Sequence, residues 1–118
     1  MSYLNIKWLG HAGFRISFSD PTDATLERVV YIDTWMGNPK IPDDYKEKQP
    51  DDADLILVTH GHFDHSTSAP DLLTWSKKEH SKIVANFEIT GFYQKYKNVA
   101  EDRLDKMNFG GTIDYGYA

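Results

Sequence analysis

The chain has 118 residues, five of them histidine and none cysteine, with 40% hydrophobic and 14% aromatic content and a net charge of −5. Such a composition suits one globular domain or a piece of a larger one, and the lack of cysteine excludes disulfides and thiolate metal sites. The acidic balance and scattered basic residues argue against a general nucleic-acid binder, and no apolar run approaches a membrane span, so a soluble, cytoplasmic protein is expected.

Leu4 to Leu9 alternates as a strand, Gly10-His11-Ala12-Gly13 breaks it, and Phe14 to Phe18 alternates again, which predicts a hairpin. Ser19 to Asp23 is turn chemistry, and Arg28 to Ile32 is a third strand ending at Asp33. Residues 34 to 54 read as loop, with Gly37, Pro39, Pro42 and Pro50; the acidic run Asp51-Asp52-Ala53-Asp54 reads as a polar part of it. Leu55-Ile56-Leu57-Val58 is wholly apolar, as in a strand buried on both faces.

Ser66 to Lys78 reads as a helix capped by Ser66 or Ser68, with Pro70 in its first turn and Lys77-Lys78 on a solvated face. His80 at its end is expected in solvent, favoured there by the helix dipole. Lys82 to Ala85 is a short strand, and Asn86 an N-cap. Ile89, Phe92, Tyr93 and Tyr96 then follow at helical spacing, an aromatic stripe expected in the core. Met107 to Tyr115 reads as a turn entering a strand. Strands first, then strand–helix–strand–helix, imply a mixed α/β layer structure.

Chemistry concentrates in Thr59-His60-Gly61-His62-Phe63-Asp64-His65, directly after the apolar strand. In extended backbone, positions i and i+2 point the same way, so His60 and His62 can grip one cation while Gly61 keeps the backbone free to turn. Asp64 and His65 follow a bend and can address a second cation beside the first. Two divalent ions about 3.5–4 Å apart can share a hydroxide and polarise a substrate oxygen. Imidazole and carboxylate suit zinc, and also manganese or iron.

The run Leu57 to His65 resembles the metal-binding motif of the metallo-β-lactamase superfamily. Trp8-Leu9-Gly10-His11-Ala12-Gly13-Phe14 resembles the opening of its uncharacterised metal-dependent hydrolases related to the ascorbate-6-phosphate lactonases. Ile32-Asp33-Thr34-Trp35, Gly37-Asn38-Pro39 and Met107 to Thr112 are similar to further elements of that branch, with Thr34 where proline is usual. The resemblance implies that His60 and His62 ligate a first metal, and that Asp64 and His65 ligate a second, with Asp64 also orienting the nucleophilic water. Asp33 would brace the His loop by hydrogen bonds and His11 would sit at the rim of the site. It further implies the N-terminal αβ half of an αβ/βα sandwich, a mixed sheet with helices on one face.

In that superfamily the site is completed by another His, a bridging Asp and a final His beyond the region seen here, and the chain has no histidine after His80. Residues 1–118 are therefore expected to be a single partial domain: a fragment or truncated product of a longer hydrolase in which metal-bound hydroxide attacks an ester, lactone or phosphodiester in a small-molecule substrate. Alone it should be inactive, with the inner sheet face free for self-association. The alternative is a non-catalytic metal-binding or interaction half-domain that pairs with a second chain.

Overall fold

The structure, a computed structural model, describes residues 2–118. Three strands open it, β1 (Leu4–Trp8), β2 (Phe14–Ser19) and β3 (Glu27–Ile32), joined by the two predicted turns. In the second of these turns Asp20 Oδ1 accepts the Thr22 N–H at 2.8 Å and Asp23 Oδ1 accepts that of Thr25 at 3.0 Å, as turn carboxylates do. A short helix α1 (Asp43–Glu47), missed in the proline-rich stretch, begins after Pro42 with Asp43 and Asp44 in its first turn. Then come β4 (Leu55–Leu57), α2 (Phe63–Ser66), α3 (Ala69–Trp75), β5 (Lys82–Ala85), α4 (Phe87–Tyr96), one 3₁₀ turn and β6 (Leu104–Lys106).

The six strands form one sheet in sequence order. β1, β2 and β3 are antiparallel neighbours; β3 to β6 are parallel. Because side chains alternate across a strand, this register sends Val29, Tyr31, Ile56, Ile83 and Leu104 to one face. There Ala69, Leu72 and Leu73 of α3 and Ile89 and Tyr93 of α4 close the main core, so the helices lie on one face of a mixed sheet. Each fully buried aliphatic side chain there contributes about 1.5–3 kcal/mol.

The opposite face carries Leu4, Ile6, Trp8, Phe14, Ile16, Phe18, Val30, Ile32, Leu55, Leu57 and Val84 in register. Residues 107–118 lie across its β3–β5 part, where Met107, Ile113, Tyr115 and Tyr117 pack on Val30, Leu55 and Val84. Tyr117 also stacks on Arg28 at 4.3 Å. The expected strand after Thr112 is absent among the described residues: a turn closes from Gly111 N–H to Asn108 O at 2.9 Å, with Gly110 at φ +79°, and the tail then runs without ladder bonds. The β1–β2 end of this face stays bare, with Leu4 and Ile6 each 64% and Trp8 55% exposed.

Four other expectations are corrected. The helix expected over 66–78 is two: it breaks at Thr67 and Ser68, and the Ser68 hydroxyl accepts the Met36 N–H at 2.9 Å instead of capping. It ends at Ser76, whose hydroxyl donates to Ala53 O at 2.8 Å. In α4 the Asn86 cap holds, accepting the Ile89 N–H at 2.9 Å, but the aromatic stripe divides. Ile89 and Tyr93 are buried while Phe92 and Tyr96 stay half or more exposed, because α4 covers only the β5–β6 edge of the sheet. The acidic run is a loop, as expected, but its last carboxylate is not solvated: Asp54 is fully buried and receives Lys78 and His80 at 2.6 Å and Arg28 at 3.2 Å. Lys78 is thereby drawn off the solvated face expected of it, whereas His80 stays exposed, as expected, while its ring bonds Asp54.

Candidate metal centre

The site lies beyond the carboxyl ends of β3 and β4, where parallel strands stop and backbone polar groups are free to bind. β3 ends at Asp33, held at φ +44° with its N–H on Leu57 O at 3.0 Å. A non-glycine residue in this left-handed region costs energy that surrounding bonds must offset. Here the bonds run to the motif: Asp33 Oδ1 accepts the Thr59 N–H at 2.8 Å, and Oδ2 accepts both the Thr59 hydroxyl and His65 Nδ1, the latter at 3.0 Å.

These bonds fix two imidazole tautomers. A carboxylate oxygen only accepts, so His65 Nδ1 carries the proton it gives to Asp33. Thr59 has one hydroxyl proton, also spent on Asp33, so its oxygen accepts from His60 Nδ1 at 2.8 Å. In the neutral form of each ring the lone pair therefore sits on Nε2, the atom a cation would take. The role of Thr59 escaped the sequence reading; its only signal was a hydroxyl directly before His60.

The remaining motif residues follow from one turn of helix. His62 precedes α2, and its carbonyl accepts from His65 N at 2.9 Å and Ser66 N at 3.0 Å, which turns Asp64 and His65 back toward the strand ends. The rings of His60 and His62 stand 4.8 Å apart, and those of His60 and His65 4.0 Å apart. Gly61 is not needed for the reason expected: its φ is not left-handed, and a Cβ there would meet Ile89 at an ordinary 3.8 Å.

Across from α2 stands His11, brought 53 residues through the chain to within 2.7 Å of Asp64, Nε2 to Oδ2. The β1–β2 turn enforces this. Gly10 has φ +87°, and a Cβ on it would meet Asn38 Oδ1 at 2.4 Å and Lys40 backbone at 2.8 Å, so no other residue fits. His11 follows at φ +52°, its carbonyl accepting from Trp8 Nε1 at 2.9 Å and its ring edge-on to Trp35 at 5.5 Å. Partial burial alone would raise the Asp64 carboxyl, but the hydrogen bond from His11, its own backbone N–H and the neighbouring imidazoles hold it below its ordinary value.

Two sets of donor atoms lie within 4.8 Å of one another: His11, Asp64 and His65, and Asp33, His60 and His65. The second is already committed, since both oxygens of buried Asp33 are engaged by Thr59 and His65. The donor chemistry therefore fits a divalent ion, with Asp33 as the brace. His62 falls in neither set but stands beside His60, turned to the solvent side.

Residues 28–115 match the family model described as the beta-lactamase superfamily domain. A metal-dependent hydrolase of Koribacter versatilis is 42% identical over 116 residues, spanning 96% of this chain and 43% of that protein. One of Roseiflexus sp. (strain RS-1) is 38% identical over 92% of this chain and 41% of its own length, and one of Hyperthermus butylicus 35% identical over 92% and 43%. The chain thus spans about two fifths of the length of these relatives. A crystal structure from Parabacteroides distasonis superposes with a TM-score of 0.56 and 22% identity, covering 80% of this chain and 36% of that one, which shows the fold.

Proposed function

The chain belongs to the beta-lactamase superfamily, and from that premise we propose that it carries the metal-gripping half of a hydrolase acting on an ester, lactone or phosphodiester. The observation that supports this most is the Asp33–Thr59–His60 and Asp33–His65 network, which in the neutral rings leaves the Nε2 lone pairs of His60 and His65 outward, the latter 3.8 Å from the Asp64 carboxylate. Nothing in a purely structural role needs both tautomers fixed this way. His60 and His62 would hold one divalent ion and Asp64 and His65 a second; zinc suits the donors best, with manganese or iron also accepted. When bound, the metal supplies Lewis acidity, acidifying water and polarising the oxygen of the scissile bond.

The chain's own residues then have separable tasks. Asp33 and Thr59 keep His60 and His65 deprotonated at Nε2 and aimed outward. Asp64, kept ionised by its hydrogen bonds, both binds cation and accepts a proton or hydrogen bond from the attacking water. Four motif ligands cannot complete two four-coordinate ions, so the remainder of a relative-length protein would supply the other donors. The 118-residue chain is accordingly expected to bind metal and to turn over little or nothing.

Elemental analysis of the purified chain dialysed against Zn²⁺ tests the reading, followed by ester, lactone and phosphodiester assays. Stoichiometric zinc lost in His60→Ala supports it. A chain that emerges free of zinc and every other divalent ion would refute it, and metal-dependent turnover abolished in His62→Ala would show that the half alone suffices.

The bare β1–β2 strip favours a second reading, in which the same chain is an interaction half. Leu4, Ile6 and Trp8 form a contiguous apolar edge. Its occupant would be an αβ half like the portion of the longer relatives beyond the matched region. Light scattering of the isolated chain, set against a Trp8→Glu variant, separates this from self-association: a concentration-dependent dimer lost in the variant would put a second copy on the strip.

A further inference from the structure

We propose that His11 is a metal ligand, completing with Asp64 and His65 a three-residue cation site within this chain; the inference rests on the metal reading above and adds a residue to it. Three observations carry it.

The first is spacing. A tetrahedral ion with bonds of about 2.1 Å holds its ligand atoms about 3.4 Å apart. His11 Nε2 lies 2.7 Å from Asp64 Oδ2, and His65 Nε2 lies 3.8 Å from Asp64 Oδ1, so the observed separations bracket that edge. One donor atom from each of the three residues lies within 4.8 Å of the other two, close enough for small side-chain turns to bring them onto one ion. The second is orientation: Asp33 takes the Nδ1 proton of His65, so the lone pair of its Nε2 faces Asp64 and His11.

The third is the strain in the backbone. A left-handed histidine next to a glycine that no Cβ can replace is an expensive way to make a hairpin, when Asn-Gly or Gly-Gly would do it without cost. The turn presents an imidazole, 40% exposed, to a carboxylate on another element. The imidazole contributes little to the fold, since its contacts are the Asp64 hydrogen bond and ring edges of Trp35 and His65. With a cation bound, His11 would carry its proton on Nδ1 and offer the Nε2 lone pair, and Asp64 a carboxylate oxygen, to the ion.

A residue that merely positions Asp64 would also weaken metal binding, about 10–100-fold by the usual effect of supporting residues, so affinity alone does not decide. The deciding measurement is the imidazole ¹⁵N spectrum of the whole chain with and without Zn²⁺, the His11 signals being assigned with His11→Gln. A ligand role requires that the His11 Nε2 resonance move on zinc addition together with that of His65, while His80 stays in place. It also requires that His11→Gln, which keeps a donor to Asp64 but offers zinc a poorer ligand, lose affinity at least about tenfold in Co²⁺ titration with unchanged near-ultraviolet circular dichroism. A His65 resonance that moves while His11 does not would overturn the proposal and leave the metal reading standing. Zinc moving neither would defeat both.

Discussion

Two aspartates at opposite ends of the parallel strands differ in what their hydrogen bonds reach: one closes on the core, the other on the candidate metal centre. Asp54, at the amino end of β4, is fully buried and surrounded by Arg28, Lys78, His80 and the Val29 N–H at 2.7 Å. Its charge is more than balanced, and every lone pair it offers is spent. Asp33, at the carboxyl end of β3, is also buried, but its donors are a backbone amide, a hydroxyl and one imidazole. Those donors pass the constraint outward, to Nε2 atoms that make no hydrogen bond among the described residues. One aspartate terminates its network; the other begins one. The location agrees with the general rule that α/β sheets bind ligands beyond the carboxyl ends of their strands.

The sharpest way to break this contrast is Asp54→Ala, which leaves Arg28, Lys78 and the His80 ring around an empty place. Removing one partner from a buried charge cluster costs about 3–5 kcal/mol, so urea denaturation should show a loss of that size, with zinc affinity of the folded fraction unchanged. A matching fall in zinc affinity would mean that the two ends are not independent.

Acid should act at the same end. Burial alone would raise the Asp54 carboxyl, but the hydrogen bonds from Lys78, His80 and the Val29 N–H outweigh it and hold the group below its ordinary value of 3.8. Asp20 is held down by its Thr22 hydrogen bonds and by Arg28. A carboxyl depressed in the folded state contributes stability that is complete above its unfolded value and disappears as pH falls through its folded value. Urea midpoints should thus hold steady from about pH 7 to about pH 5 on these groups' account and drop below about pH 4. A midpoint that rises on acidification in that range would contradict the assignment.

At the other end the losses should appear in metal binding first. Asp33→Ala frees both histidine tautomers and should weaken zinc about 10–100-fold by calorimetry. Thr59→Val keeps the backbone N–H on Asp33 but removes the hydroxyl relay to His60, so the fall should be smaller, about tenfold. Equal losses in the two variants would show that the relay, rather than the direct His65 bond, carries the orientation.

Much of this was legible in the sequence, for reasons that differ by element. The apolar run at 55–58 and the Asn86 cap were readable because burial on both faces and capping are local requirements. The His-Asp motif was readable because its chemistry is packed into six residues. β6 was not, since two of its three residues are charged and its pairing with β5 is the whole reason it is a strand. Asp54 and Lys78 were misread as surface, and the bond from exposed His80 to Asp54 was not foreseen, because the partners lie 24 to 26 residues apart in the chain, and polar patterning cannot show pairing over that distance. The division of the α4 stripe likewise depended on how far the sheet extends beneath it. The beginning at Asp33 and its link to Thr59 lay within a stated expectation of bracing, yet the direction of each proton came only from geometry.

The bonds from Asp33 to Thr59 and His65 cross from the end of β3 to the end of β4, so the two unprotonated nitrogens exist together only after those parallel strands have paired. The unfolded chain has no such preformed grip, and a divalent ion that binds only the paired state acts as a staple across it. By linkage, free ion at a hundred times its dissociation constant raises the unfolding free energy by about 2.7 kcal/mol. The thermal midpoint of this chain should therefore read out ambient metal, climbing with each tenfold increase in free zinc and collapsing to a fixed floor under chelator.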